Sequence, residues 1–245
     1  MQRILELLGE GAFVTVESLC RTFYVSHPTI YRDLRELERQ KVIIRGNGGA
    51  VRVAEEKTNL PLQFRQSRQI REKELLARAA VKLVVPGSTI FLDASSTAAC
   101  MADWLDPAMD ITVLTSGLLT AIRMKNAGIR TCCLGGLVSS NSMATGGKLA
   151  YDMLAHFRIQ TLFFSAYGVD HKGIIADSSE EESHLRRYLL RKNLTSVLLC
   201  DGSKFGRRST FRIAAMNDVD YLVTDGPVPK EFPQPRQGTI FCDTE

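Results

Sequence analysis

Long apolar runs are missing from this sequence. None approaches the ~20 residues that a membrane-spanning helix needs. The longest candidates, Thr161–Ala166 and Val197–Cys200, have the length of buried strands. Met1 leads into Gln2-Arg3-Ile4-Leu5-Glu6 with no charged stretch ahead of an apolar core, so no secretory signal is expected. The cysteines, Cys20, Cys100, Cys132, Cys133, Cys200 and Cys242, form no C-x-x-C pair and no Cys/His cluster of zinc-finger spacing. Set mostly in apolar stretches, they read as small core residues in a reducing cytoplasm. Walker-type phosphate loops, Ser–His–Asp arrangements, internal repeats and low-complexity segments are absent as well. No metal site, no cofactor and no membrane partner is expected.

What is present is an uneven charge on an otherwise ordinary composition. The 245 residues are 44% hydrophobic and 24% charged, as in a soluble globular protein. That length fits one large or two small domains at roughly 100–200 residues per domain. Residues 1–78 hold 14 Lys/Arg against 10 Asp/Glu, and the remainder holds 17 of each. The basic excess of +4 therefore lies in the first third, which points to a polyanion partner for that end.

The first ~52 residues read as three helices and a hairpin, from periodicity and caps. Ile4, Leu5, Leu7 and Leu8 make a short amphipathic helix stopped by Gly9 and Gly11. Thr15 caps a second helix, with Glu17 in its first turn where the dipole favours an anion. Tyr24-Val25 turn the chain, Ser26 caps a third helix, and Pro28 sits in its first turn. Ile30, Leu34 and Leu37 recur at i, i+4, i+7 and form its buried face. His27, Tyr31, Arg32, Arg35 and Arg39 then point outward. A solvated face with pairs such as Arg32–Glu36 is the bland account of those charges. Two neighbours favour DNA instead: a short helix across a tight turn, and a Gly-rich hairpin at 42–52 flanked by Arg45 and Arg52. The pair Asn47-Gly48 suits a hairpin turn with positive φ. The expected interface with double-stranded DNA comprises Ser26, His27, Thr29, Tyr31, Arg32 and Arg35, with Arg45 and Asn47 on the wing.

Val53–Asn59 is polar and ends at Pro61, as a linker does, and Phe64–Lys82 is strongly helical. From Pro86 onward short apolar runs alternate with helices. The runs are Thr89–Leu92, Ile111–Leu114, Thr131–Leu134, Leu162–Ala166, Ser196–Leu199 and Tyr221–Val223. This is the pattern of a mostly parallel α/β sheet covered on both faces. The expected division is a winged helix-turn-helix domain at 1–54, a linker and the start of a connecting helix at 55–72, and an α/β domain at 73–245.

Small and polar residues follow the strands, where an open α/β sheet forms its ligand crevice. Asp93, Ser95, Ser96 and Thr97 follow the first strand, Thr115 and Ser116 the second, and Gly135-Gly136 the third. Tyr167-Gly168 follow the fourth, and Lys204 lies in the loop after the fifth. Hydroxyls at helix N-termini with one lysine describe a small-anion pocket, and Asp93 suits ligand hydroxyls; together they describe a sugar phosphate. His171, His184, Asp170, Asp177 and Glu180–Glu182 lie near the fourth strand end. A carboxylate there would serve as a base in enolisation. The bland account is a charged loop and the acidic first turn of a helix at 181–192.

Taken together, these residues resemble the DeoR family of bacterial transcriptional regulators, over nearly the whole chain to about Gly226. At the N-terminus the resemblance rests on Val14–Ser18, Val25-Ser26, Thr29–Leu34 and Arg45–Ala50. Further along it rests on Asp93–Thr97, Leu134-Gly135-Gly136, Gly168-Val169-Asp170, Glu180–Glu182 and Asp201–Gly206. The family pattern usually has a second arginine where Tyr31 stands, and Ser165-Ala166-Tyr167-Gly168 departs from it too. The resemblance implies a repressor, and not an enzyme. Its second domain would share the fold of sugar-phosphate isomerases and bind a phosphorylated sugar as inducer. A homodimer or homotetramer is expected, since a short recognition helix reads paired half-sites. An isomerase-like enzyme with a fused nucleic-acid domain is the alternative, and a third reading keeps the second domain for oligomerisation alone.

Overall fold

The computed structural model describes residues 2–8, 13–39, 42–52, 62–139 and 142–242. The chain divides into two compact units, residues 1–70 and 71–245.

The first unit opens with α1 (Gln2–Leu8), β1 (Phe13–Thr15), α2 (Val16–Phe23) and α3 (His27–Arg39). The hairpin β2 (Ile43–Gly46) and β3 (Gly49–Arg52) follows, and then α4 (Leu62–Gln66). Thr15 caps α2 as expected, its hydroxyl accepting the Ser18 amide at 3.1 Å. Ile30, Leu34 and Leu37 of α3 pack with Ile4, Leu8, Val16, Leu19, Ile43 and Ala50 in one small core. Each of the Ile, Leu and Val side chains contributes roughly 1.5–3 kcal/mol on burial. β3 is the central strand, antiparallel to both β1 and β2. Gly48 (φ 79) supplies the positive dihedral of the two-residue turn.

The helix expected over 64–82 is two helices. α4 ends at Gln66, and α5 (Ile70–Val81) begins after Gln69, which is left-handed at φ 45. The break has a tertiary cause. Phe64 stacks edge-on against Phe13 at 5.8 Å, and the Ser67 carbonyl accepts the Asn47 amide at 3.1 Å. These contacts hold α4 on the hairpin within the first unit, where helical periodicity alone would run it straight into α5.

The second unit continues with β4 (Thr89–Leu92), α6 (Ser96–Ala99), β5 (Thr112–Thr115), α7 (Leu118–Asn126) and β6 (Arg130–Cys133). A small hairpin of β7 (Leu137–Val138) and β8 (Thr145–Gly146) leads to α8 (Lys148–Leu154). Then come β9 (Thr161–Phe164), β10 (Gly168–Val169), β11 (Ile174–Asp177), α9 (Glu180–Leu190) and β12 (Thr195–Leu199). The unit closes with β13 (Phe211–Ala215), β14 (Tyr221–Thr224) and β15 (Gly238–Phe241).

The main sheet has seven strands in the order β15-β14-β12-β9-β4-β5-β6, all parallel. Successive side chains of a strand face opposite ways, and here they feed two cores. Ile90, Leu92, Phe163, Val197 and Leu199 enter one, whereas Phe91, Leu162, Phe164 and Leu198 enter the other. That explains why the strands read as unbroken apolar runs. β15 and the antiparallel sheet β10-β11-β13 were not expected. Of the cysteines, Cys200 and Cys242 are buried, and the other four are only half-buried. Among the described residues no helix is long and apolar enough to cross a membrane.

Candidate functional site

In the first unit the outer face of α3 is open. Residues 24–28 form an unbroken exposed stretch into the helix, and Tyr31, Arg32 and Arg35 continue it. Ser26 does not cap through its side chain. Its carbonyl accepts the Thr29 and Ile30 amides, and its hydroxyl meets that of Thr29 at 3.1 Å. Thr29 is accordingly half-buried. The acids of α3 choose other partners than Arg32. Glu36 takes Arg39 through contacts of 2.7 and 2.9 Å, and Glu38 faces Arg45 at 3.6 Å. Among the described residues Arg32 and Arg35 have no ion pair. Arg45 also lies over the Tyr31 ring, 5.6 Å from its centroid, so the base of the wing leans on α3. Asn47 stands exposed at the wing turn.

In the second unit the carboxyl ends of the parallel strands gather the other set of residues. Asp93, Ser95, Ser96, Thr97, Thr115 and Ser116 are all buried. Several are already engaged. The Asp93 carboxylate accepts the Ser95 amide at 3.0 Å and the Ser165 amide at 3.1 Å. The Ser95 hydroxyl caps α6 through the Ala98 amide, and the Thr115 hydroxyl accepts the Gly117 amide at 3.0 Å. The Ser116 carbonyl takes both the amide and the hydroxyl of Thr145. Gly136 (φ 129) lies so close to the Gly146 carbonyl that an added Cβ would sit 2.0 Å from its oxygen. Gly135 has open space beside it. Tyr167 is half-buried, with its amide on the Ala176 carbonyl. Gly168 lets the backbone of Arg207 approach. Lys204 Nζ donates to Ser165 Oγ at 2.6 Å and lies 3.8 Å from Asp201.

The residue that ties this rim together is Arg186, which sequence reading missed. It is 2% exposed. Its guanidinium reaches Asp93 at 2.8–2.9 Å, Asp177 at 2.8 Å and Glu182 at 3.1 Å. Burial opposes its charge, but the three carboxylates outweigh that and hold its pKa above the usual arginine value. Asp177 and Glu182, expected either as a base for enolisation or as part of a charged loop and helix first turn, are ion-paired with this buried guanidinium, while Glu180 and Glu181 are exposed. Ser179 caps α9 through the Glu182 amide. His184 accepts or donates to the Tyr151 hydroxyl at 2.6 Å on the outer side of α9. Asp170 serves its own loop. Burial works against its charge, but the amides of Ile174 and Lys172 hold its carboxyl below the usual range.

Sequence comparison agrees with this division. The DeoR-like helix-turn-helix domain matches residues 1–56, and the DeoR C terminal sensor domain matches residues 68–226. The HTH-type transcriptional regulator GolR of Listeria innocua is 36% identical over 93% of this chain and 90% of its own length. The glycerol-3-phosphate regulon repressor of Escherichia coli is 30% identical over 92% and 90%. The HTH-type transcriptional repressor GlcR of Bacillus subtilis is 30% identical over 91% and 86%. These relatives are named as regulators and repressors, not as enzymes.

Proposed function

This chain belongs to the DeoR family of transcriptional regulators, and we propose that it represses a carbohydrate-utilisation operon and releases its operator when a phosphorylated sugar binds. The reading is supported by the relatives that carry the names of a glycerol-3-phosphate regulon repressor and of a repressor. The single observation behind the DNA half is the open face of α3, where Arg32 and Arg35 are exposed and have no ion pair among the described residues. A recognition helix lies in the major groove with its first residues against base edges. Ser26, His27, Thr29, Tyr31, Arg32 and Arg35 are assigned to that groove, and Arg45 and Asn47 to the flanking phosphates.

The effector is assigned to the strand-end rim of the second unit. Ser95, Ser96 and Thr97 take the phosphate with Lys204 as counter-charge, and Asp93 faces the sugar hydroxyls. Thr115, Ser116, Gly135, Gly136, Tyr167 and Gly168 complete the rim. Lys204 would exchange the neutral Ser165 Oγ for a phosphate oxygen, so that both partners of the bond carry charge. The protein acts in the cytoplasm as a homodimer or homotetramer.

The test has two steps. A duplex selected from a random pool by the full-length protein is titrated at fixed salt, and the titration is repeated with a panel of phosphorylated sugars. One phosphorylated sugar should weaken binding where its unphosphorylated form does not. Failure to enrich any duplex would refute the regulatory reading, and turnover of the active sugar would restore the enzyme alternative.

A further inference from the structure

The turn between α2 and α3 carries a tyrosine that the fold does not use. Tyr24 closes α2 with φ 54 and ψ 40, the left-handed region. Its amide and that of Val25 both bond the Cys20 carbonyl, so the conformation is enforced by the helix end. Glycine occupies such a position without strain, whereas a side chain with a Cβ is strained there. Packing does not compensate for that strain. At 96% exposure Tyr24 is the most exposed large hydrophobic side chain among the described residues, and no hydrogen bond, ring contact or ion pair engages its side chain there. A residue that strains the backbone while its side chain makes no hydrogen bond, ring contact or ion pair within its own unit points to a partner outside it.

The position says which partner. Tyr24 begins the exposed stretch that continues through Val25, Ser26, His27 and Pro28 into the open face of α3. Two residues separate it from that helix, a reach of at most roughly 11 Å along the backbone. A phenol there is an amphipathic donor, apolar along the ring and polar at the tip. The surface beside a major groove presents sugar edges and phosphate oxygens, which match those two parts in order.

We propose that Tyr24 is a DNA-backbone contact, its hydroxyl donating a hydrogen bond to a phosphate oxygen beside the groove that α3 enters. The inference rests on the DNA-binding reading above. A phosphate contact carries no sequence information, so it strengthens specific and non-specific binding alike. The hydroxyl is neutral, so it displaces no counterion and leaves the salt dependence unchanged.

The experiment compares full-length wild type, Tyr24→Phe and Tyr24→Gly on two probes, the duplex selected by the wild type and a random duplex of equal length. Fluorescence anisotropy over a salt series gives affinity and salt slope, and thermal melting gives Tm. Tyr24→Phe should bind both probes about five- to tenfold more weakly with unchanged Tm and salt slope. Tyr24→Gly should lose at least as much affinity while its Tm rises, a combination that a structural role would not produce. Either variant binding both probes within about twofold of wild type overturns the proposal. A lower Tm for Tyr24→Gly overturns it as well, because the ring would then be serving the fold. A wild type that binds neither probe instead removes the DNA-binding reading, so the two failures are distinguishable.

Discussion

Arg35 and Arg45 are both exposed or half-exposed arginines near one helix, yet their surroundings assign them different work. Arg35 projects from α3 with no ion pair among the described residues, whereas Arg45 is held by Glu38 and the Tyr31 ring. A free guanidinium can meet guanine as a two-toothed donor, which is worth about 1–3 kcal/mol of discrimination. Arg35→Ala is therefore expected to lower affinity for the selected duplex by that amount and relax specificity at one base pair. Arg45→Ala should weaken selected and random duplexes together and reduce the salt slope by about one. Equal effects of the two substitutions on both duplexes would refute the division of labour. Cys200 illustrates burial acting on a single group. It is 1% exposed, and burial pushes its thiol up to about 12, with nearby Lys204 pulling the other way. An unfolded thiol ionises near its ordinary value of about 8.5. The native state then holds a proton that the unfolded state releases, so this contribution is complete below about 8.5 and is lost as pH rises toward 12. In Cys200→Ala the decline of Tm across that alkaline interval should be shallower than in wild type.

At the scale of elements, α9 is the piece whose placement matters most. One side chain, Arg186, joins it to the loop after β4 through Asp93 and to the end of β11 through Asp177. Asp93 in turn holds the Ser95 and Ser165 amides, and Ser165 receives Lys204. The guanidinium thus fixes the rim through a single buried carboxylate. Arg186→Met would leave three carboxylates without their shared counter-charge, and breaking one partner out of a buried ionic group costs about 3–5 kcal/mol. Urea unfolding should show that loss with an unchanged slope. A loss below about 1 kcal/mol would mean that water reaches the cluster and that α9 is held by its apolar face alone.

For the whole molecule, the division after Ile70 sets what can be separated. A chain starting at Arg71 keeps both cores of the second unit and should fold, bind the effector and ignore operator DNA. In the full chain an effector that favours the released state by about 1–3 kcal/mol lowers operator affinity roughly 5–150-fold. Linkage requires operator DNA to weaken effector binding by the same factor. Calorimetry with and without the selected duplex measures this, and equal effector affinity in both would exclude coupling. The polar segment 53–61, read as a linker, lies outside the described residues. Glycines inserted at position 58 test whether it transmits the signal.

Periodicity and composition were enough for much of this molecule, because both report local rules. The i, i+4, i+7 row of Ile30, Leu34 and Leu37 marks the buried side of α3 and so the open side as well. Six apolar runs mark six of the seven parallel strands, because a strand buried on both faces must be apolar throughout. The seventh, β15, is an edge strand whose four residues are half-buried or exposed, so no fully apolar run marks it, and β10 has only two residues. The break between α4 and α5 was hidden because Phe13, Phe64, Asn47 and Ser67 meet only after the first unit closes. The clustering of polar residues at the strand ends was legible from turn chemistry, but their connections were not. In sequence Arg186 is one of two adjacent arginines on a helix, and only the packing of α9 buries it while leaving Arg187 partly exposed. Tyr24 was read as a simple turn residue for the same reason: its left-handed backbone and near-complete exposure exist only once α2 and α3 have packed.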